Sequence, residues 1–460
     1  MLQVMSAPDP VVKTIIGEQQ IFDRNYRWSR YVISTPCEDG ILHYNTLTCE
    51  LVFVSDDRIF ALEDREDLIS KWFLVPEAYN EFLQAKKVKT IRQTLYRANS
   101  KEKWNDSVDL YWVLSTTDCN AQCFYCHEHG IPKMSMSLDT AAHVAGYIEQ
   151  HSPDNNIHIV WYGGEPLMNS EVIDVISDEL NSKGITYSSS MISNGFAFDS
   201  DMIRRACNLW HLEEVQITLD GKEQTYNRVK AYKNSSEGSP FLRVLDNISL
   251  LLEHNIKIQV RLNIDTYNMD ELFELARMLI TRFGTDELFY VYSAPLLEES
   301  LGTAYRRKSK QRKEVYEAHI RLCEFLASEG VLLRTSLPKV MRSEMRCIAV
   351  SNARVIYPDG QLAFCHDYSE GVLAGDIYSN EPAMSARLEY TKCLAEIARC
   401  SNCSKYPQCV RLTKCFKNKC NQEMIDEWIW WTKQEMRWEY EKLHEKSDRL
   451  SIGGRFMEIH

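Results

Sequence analysis

Cys119, Cys123 and Cys126 stand with three and then two residues between them. Cysteine thiolates in one short loop are metal ligands by type, and three is one short of the four that close a structural zinc site or an iron–sulfur cubane. Such a set leaves a metal position open, and an open position is a place for chemistry. By spacing alone, zinc and iron–sulfur both stay open. Of the fifteen cysteines, eight more fall between Cys347 and Cys420, enough to ligate two cubanes fully. Cys37, Cys49, Cys207 and Cys323 are scattered and read as small buried or surface residues. Residues 1–16 contain Asp9 and prolines instead of a basic-then-apolar signal, which points to a reducing cytoplasm, where clustered cysteines bind metal instead of pairing.

The elements that must position these residues follow from the hydrophobic rhythm. Apolar strand-like runs at 110–115, 157–162, 186–192, 214–219, 257–264 and 288–292 alternate with amphipathic stretches at 138–150, 170–181, 201–209, 241–254, 269–282 and 305–329. Six βα repeats predict an α/β fold with a parallel sheet, and ligands in such folds bind beyond the carboxyl ends of the strands. The first cysteine loop follows the first strand, at that end. Gly163-Gly164-Glu165-Pro166 follows the second; its glycine pair lets backbone come close to a ligand, and Glu165 adds a charge. Ser193 and Asn194 end the third strand, Thr218 and Asp220 the fourth, and Arg261 and Asn263 lie on the fifth. Any one of these could be no more than a helix cap; their weight is that all fall at one end of successive strands.

Length sets the remaining frame. At 460 residues the chain is too long for one core, and two or three domains are expected. Residues 1–105 read as a small α+β unit with strands at 31–34, 40–45 and 50–54 and helices at 56–74 and 77–98; residues 423–447 read as a closing helix with Trp428, Trp431 and Trp438 turned to the body. A formal net charge of −12 argues against nucleic acid or an anionic membrane as partner, and no apolar run reaches a membrane span.

The cysteine loop, its strand position and the glycine loop resemble the radical S-adenosylmethionine (SAM) superfamily. The resemblance implies a partial (β/α)6 barrel, with Cys119, Cys123 and Cys126 holding a [4Fe–4S] cluster whose fourth iron is chelated by the amine and carboxylate of S-adenosyl-L-methionine. Electron transfer from the cluster then gives a 5′-deoxyadenosyl radical. Tyr125 matches an aromatic position that packs on the adenine. Gly163, Gly164, Glu165 and Pro166 match the loop that holds the methionine amine, and Ser193, Asn194, Thr218, Asp220, Arg261 and Asn263 fall where the family contacts the cofactor.

Cys347, Gly360, Cys365, Cys400, Cys403 and Cys409 resemble the SPASM extension of radical SAM enzymes that modify peptides and proteins, which implies two auxiliary [4Fe–4S] clusters. The assignment that follows is Cys347, Cys365 and Cys415, with Cys393, for an inner cluster and Cys400, Cys403, Cys409 and Cys420 for an outer one. The chain departs from that pattern where Thr413 stands in place of a cysteine, and a zinc-ribbon reading of Cys400 and Cys403 stays open. The segment from Gly40 to Val52 resembles the start of maturases of ribosomally made peptides, as does the stretch from Thr218 to Tyr232. The domains expected are a leader-recognition unit (1–105), the radical SAM barrel (106–334), a SPASM domain (335–422) and a C-terminal helix and tail (423–460).

The function implied is a peptide maturase that installs a thioether or carbon–carbon crosslink or a related oxidation on a precursor peptide. Its leader would be captured by strand addition, and flavodoxin or ferredoxin would donate electrons. Asp367 is the candidate base. An anaerobic sulfatase-maturase-like enzyme forming formylglycine is the alternative, and a non-catalytic iron–sulfur or zinc protein is the reading from another class.

Overall fold

The computed structural model describes residues 2–6, 9–20, 25–55, 62–103, 108–126, 128, 131–152, 157–233, 238–285, 287–296, 309–332, 341, 353–366, 373–379, 392, 395–409 and 420–444. The N-terminal unit comprises β1 (Leu2–Val4), α1 (Pro10–Ile16), β2 (Tyr26–Trp28), β3 (Val32–Cys37), β4 (Gly40–Asn45), β5 (Glu50–Ser55), α2 (Leu62–Ser70), β6 (Leu74–Pro76) and α3 (Glu81–Lys103). Its main sheet runs β1-β5-β4-β3, all antiparallel, and β2 pairs with β6. The helix expected over 56–74 is shorter: the chain turns at Trp72, whose φ is +67°, and then enters β6. That reversal places Phe73 and Leu74 in the core with Val52, Leu68 and Ile69, which a continued helix would not allow.

The body alternates β7 (Leu110–Thr116), α4 (Leu138–His151), β8 (Ile157–Gly163), α5 (Ser170–Ser182), β9 (Tyr187–Ser193), α6 (Ser200–Asn208), β10 (Leu212–Leu219), α7 (Glu223–Lys230), α8 (Pro240–Glu253), β11 (Lys257–Ile264), α9 (Leu272–Phe283), β12 (Phe289–Pro295) and α10 (Ser309–Ser328). The six expected parallel strands are present in chain order, paired neighbour to neighbour. Period-two alternation splits their side chains. Tyr111, Val113, Ile159, Trp161, Val215, Ile217, Ile258 and Val260 join residues of α4 to α10 in one large core. Trp112, Leu114 and Tyr162 point to the other face. Side-chain caps start the helices where polar residues predict them: Ser137 Oγ accepts from Thr140 N, and Asp199 Oδ1 from Met202 N at 2.9 Å.

Beyond the expected repeats, β13 (Ala353–Ile356) pairs parallel with β7, and β14 (Gln361–Ala363) and β15 (Leu373–Asp376) continue antiparallel, making a nine-stranded sheet. Helix α11 (Gln422–His444) is the closing helix. Trp431 and Trp438 enter the large core, while Trp428, Met436 and Tyr440 pack on Ile33, Leu42, Tyr44, Leu51 and Phe53 of the N-terminal sheet. One amphipathic helix thus buries two faces and ties the N-terminal unit to the body. Among the described residues, no helix is long and apolar enough to cross a membrane.

Candidate active site

Every barrel residue singled out from sequence lies at the carboxyl end of β7 to β11 or in the loops beyond. The loop after β7 is locked to the loop after β8 by backbone: Gly164 N donates to Thr116 O at 2.9 Å and Glu165 N to Asp118 O at 2.8 Å. Here glycine is required. Gly163 has φ of +140°, and a Cβ there would sit 2.2 Å from Thr116 O; at Gly164 it would sit 2.1 Å from Asp118 O. The glycine pair thus serves close approach between two loops.

Glu165 is fully buried and carries a structural share of the site. Its carboxylate accepts from Ser193 Oγ at 2.8 Å, Asn194 N at 2.8 Å and Leu167 N at 3.3 Å. Burial pushes its pKa up to about 7 against those three hydrogen bonds. Asn194 in turn donates to Asn120 Oδ1 at 2.7 Å and lies 3.9 Å from Cys119 Sγ. A chain of contacts therefore runs from the second loop through the third to the first cysteine.

On the other side, Tyr125 Oη donates to Asp220 Oδ2 at 2.8 Å and accepts from Lys230 Nζ at 3.2 Å, and Lys230 pairs with Asp220 at 3.1 Å. Asp220 Oδ1 accepts from Asn263 Nδ2 at 3.1 Å, and Asn263 Oδ1 accepts from Arg261 Nε at 2.9 Å. Asn268 holds the backbone oxygens of Asp220 and Asn263 at 2.6 and 2.7 Å. Tyr125 is thus oriented through its hydroxyl as well as its ring. Thr218 is half-buried on β10, two residues before Asp220.

The three thiols share this one loop. Burial raises all three: Cys119 to about 12 and Cys126 to about 11, and Cys123 upward, with neighbouring thiols adding to the rise at Cys119 and Cys126. Mutually destabilising thiolates of this kind are ligands that a cationic metal centre deprotonates and holds. Among the described residues, no three His, Cys, Asp or Glu side chains already stand at metal-holding distances. The fit to a cluster therefore rests on the soft donor set and its shared loop.

The C-terminal cysteines divide. Cys400, Cys403, Cys409 and Cys420 lie close enough that the other three raise the proton affinity of Cys403, after burial. Cys365 follows β14 and packs against the large core. Its neighbour His366 stacks on Trp112 at 3.9 Å and meets Tyr162 edge-on at 5.5 Å. Cys347, Cys393, Cys415 and Asp367 lie outside the described residues.

Several positions in this constellation escape a reading of sequence. Lys230 and Lys233 sit in or just after the quoted stretch ending at Tyr232, yet only a folded chain shows that both return to the cysteine loop. Asp118 and Asn120 flank Cys119, where proximity was the available signal. Cys49 is no mere filler: Arg92 Nη2 lies 2.8 Å and Gln408 Nε2 3.1 Å from its sulfur, at the seam between the N-terminal unit and the 400–409 loop.

The parallel βα sheet carries three cysteines after its first strand and a glycine–glutamate loop after its second. Residues 113–279 match the Radical SAM superfamily. The family implies a [4Fe–4S] cluster and S-adenosylmethionine. An uncharacterized protein of Methanocaldococcus jannaschii is 28% identical over 40% of this chain and 63% of its own length. Among solved structures, native anSMEcpe with bound AdoMet and Kp18Cys peptide superposes with a TM-score of 0.55 at 14% identity, covering 73% of this chain and 99% of that one. Streptococcus suis SuiB bound to precursor peptide SuiA gives a TM-score of 0.51 at 9% identity, over 85% of this chain and 95% of that one. At these identities the two structures speak for the fold.

Proposed function

We propose that the chain is a radical SAM maturase that modifies a precursor peptide, installing a thioether or carbon–carbon crosslink or a related oxidation. Cys119, Cys123 and Cys126 would hold a [4Fe–4S] cluster, which with S-adenosylmethionine would supply radical hydrogen abstraction from a C–H bond. The chain's own residues hold and orient. Residues 163–166 with Ser193 and Asn194 shape one wall of the cofactor site. Tyr125, Thr218, Asp220, Arg261 and Asn263 shape the other. Two auxiliary clusters belong to the C-terminal cysteines, with Cys400, Cys403, Cys409 and Cys420 as the outer set and Cys347, Cys365, Cys393 and Cys415 as the inner.

The observation that carries this reading is the N-terminal unit (1–105), which precedes the barrel (106–334), the SPASM domain (335–422) and the closing helix and tail (423–460). Its antiparallel sheet has two edges. At the β3 edge, Pro36 pairs with Ile41 and brings no N–H. At the other edge lies β1, which pairs with β5 from Leu2 opposite Val54 to Val4 opposite Val52 and is followed by Met5 N and Ser6 N bonding Leu51 O. The outer edge of β1, where Gln3 and Val4 are exposed, is the one that would take an extended leader as an added strand. SuiB, whose likeness covers more of this chain than that of anSMEcpe, was solved with its precursor peptide.

Formation of a crosslink removes two hydrogens from the peptide. One leaves as a hydrogen atom, and the other as a proton and an electron, which an auxiliary cluster on the C-terminal cysteines would accept. Asp367 is the proposed proton acceptor. The electron donor is of the flavodoxin or ferredoxin type, and the setting is the cytoplasm. The test is co-expression with a short peptide encoded beside this chain, followed by mass spectrometry. A loss of two hydrogens, dependent on Cys126, is expected. A cysteine converted to formylglycine in a folded sulfatase, with the peptide unchanged, would replace this reading by the sulfatase-maturase one, which the likeness to anSMEcpe favours.

A further inference from the structure

Lys230 is the last residue of α7, and both its backbone and its side chain reach the cysteine loop. Gln122 N donates to Lys230 O at 2.7 Å, so the residue before Cys123 is pinned to the helix end. Ala231, in the left-handed region at φ of +44°, then turns the chain so that Lys233 N donates to Asn120 O at 2.9 Å. Lys233 Nζ adds a bond to Cys119 O at 2.6 Å. Lys230 is only 3% exposed, and its partner Asp220 is fully buried. Tyr125 Oη bonds both groups, and Tyr125 lies between Cys123 and Cys126 in sequence.

A buried ion pair is a costly way to hold a loop, since an apolar pair of similar volume often does so at least as well. Its distinguishing property is a fixed charge in a low dielectric, where Coulomb interactions are strong. Both charged groups bond the hydroxyl of Tyr125, which stands between Cys123 and Cys126, and Lys230 O holds the residue before Cys123. A metal centre's potential follows its surrounding charge and hydrogen bonds.

From this geometry we infer that Lys230 and Asp220 are positioning residues that set the reduction potential of the centre held by the 119–126 loop, through opposed charges bonded to Tyr125 within that loop. The inference rests on the radical SAM reading of that loop. Lys230 favours the reduced, more negative state; Asp220 disfavours it; their pairing holds the sum near neutral.

The test is a redox titration, followed by electron paramagnetic resonance, of the full-length protein reconstituted anaerobically with iron and sulfide. At a poise where half of the wild-type centre is reduced, Lys230→Met lowers the reduced-to-oxidised ratio about tenfold, a shift of about 59 mV for one electron. Asp220→Asn raises it, and the double variant returns toward wild type. Lys230→Arg, which keeps the charge, stays near wild type. A role in packing alone moves iron content and stability but cannot give shifts of opposite sign that cancel. The proposal is overturned if Lys230→Met loads iron fully at unchanged potential, or if the two single variants shift the same way. It is overturned equally if Lys230→Met, Lys230→Arg and the double variant all fail to load iron. A wild-type chain that binds no cluster would sink the family reading instead.

Discussion

Two cysteine loops of this chain are held in opposite ways. The 119–126 loop is fixed by its own sheet: the next strand's glycine loop, the third strand's Asn194, and the buried Lys230–Asp220 pair beyond the fourth. The 400–409 loop is fixed by the far end of the chain. Arg30 Nη1 donates to Ser401 O at 2.7 Å across 371 residues of sequence, and Arg92 Nη1 to Pro407 O at 3.0 Å. Lys89 lies 4.3 Å over the Tyr406 ring, and Cys400 and Cys403 share a core cluster with Val12, Tyr31 and Leu47. One loop is a property of the barrel. The other is a joint property of two units, so whatever loosens the N-terminal unit is felt at the outer cysteines first.

The largest test separates the loops by chemistry. Cys126→Ala abolishes 5′-deoxyadenosine formation under a strong reductant, while Cys403→Ala keeps much of it and loses modified peptide; high-performance chromatography and mass spectrometry read both. If Cys126→Ala still cleaves S-adenosylmethionine, the assignment of the barrel loop is wrong. If Cys403→Ala loses cleavage as well, the loops are not independent.

The next effect belongs to the barrel loop alone. Glu165 has its carboxyl raised by burial from the ordinary 4.5 to about 7. The folded state therefore binds the proton more tightly than the unfolded one. Its share of stability is full below about pH 4.5 and is lost as pH rises through 7, on the order of 3 kcal/mol at most. Glu165→Gln removes that share of the slope, which urea denaturation at pH 5 and pH 7.5 reads. Glu50, in the N-terminal sheet and also raised to about 7 by burial, keeps its own share of the slope in that variant. A slope unchanged by Glu165→Gln would mean that its hydrogen bonds outweigh burial.

How much of this was legible in the sequence follows the same division. All six barrel strands could be read from apolar runs, because each strand buries one face against helices that follow in register, and the motifs sit at strand ends by construction. The short strands were not: β1, β2 and β6 are three residues each, below any period that a pattern can reveal, and β13 joins β7 by a pairing between segments far apart in sequence. Glu165 could be named but its partners could not, since Ser193 and Asn194 come to it only when β8 and β9 pair. Cys49 and Arg92 carried no local signal of any kind. Their meaning lies in a contact with the 400–409 loop, and that kind of information is tertiary.

Arg92 and Arg30 then sharpen the comparison, because both reach carbonyls of the same outer loop and differ in burial. Arg92 is 9% exposed at the side chain and touches Asp9, Leu47, Cys49 and Pro407. Arg92→Met strands those acceptors away from water and costs about 2 kcal/mol, seen as a lower urea midpoint. Hydrogen exchange should quicken across 400–409 and not across 119–126. Arg30 is 37% exposed, and water can replace it at Ser401 O and at Asn402 Oδ1. Arg30→Ala therefore costs well under about 1 kcal/mol. Because both bonds end on one short loop, the double variant exceeds the sum of the singles if that loop moves as a unit, and matches the sum if each arginine holds its own end. If Arg30→Ala cost as much as Arg92→Met, burial would not be what anchors the outer loop. The contrast with the barrel's buried ion pair would then rest on distance along the chain alone.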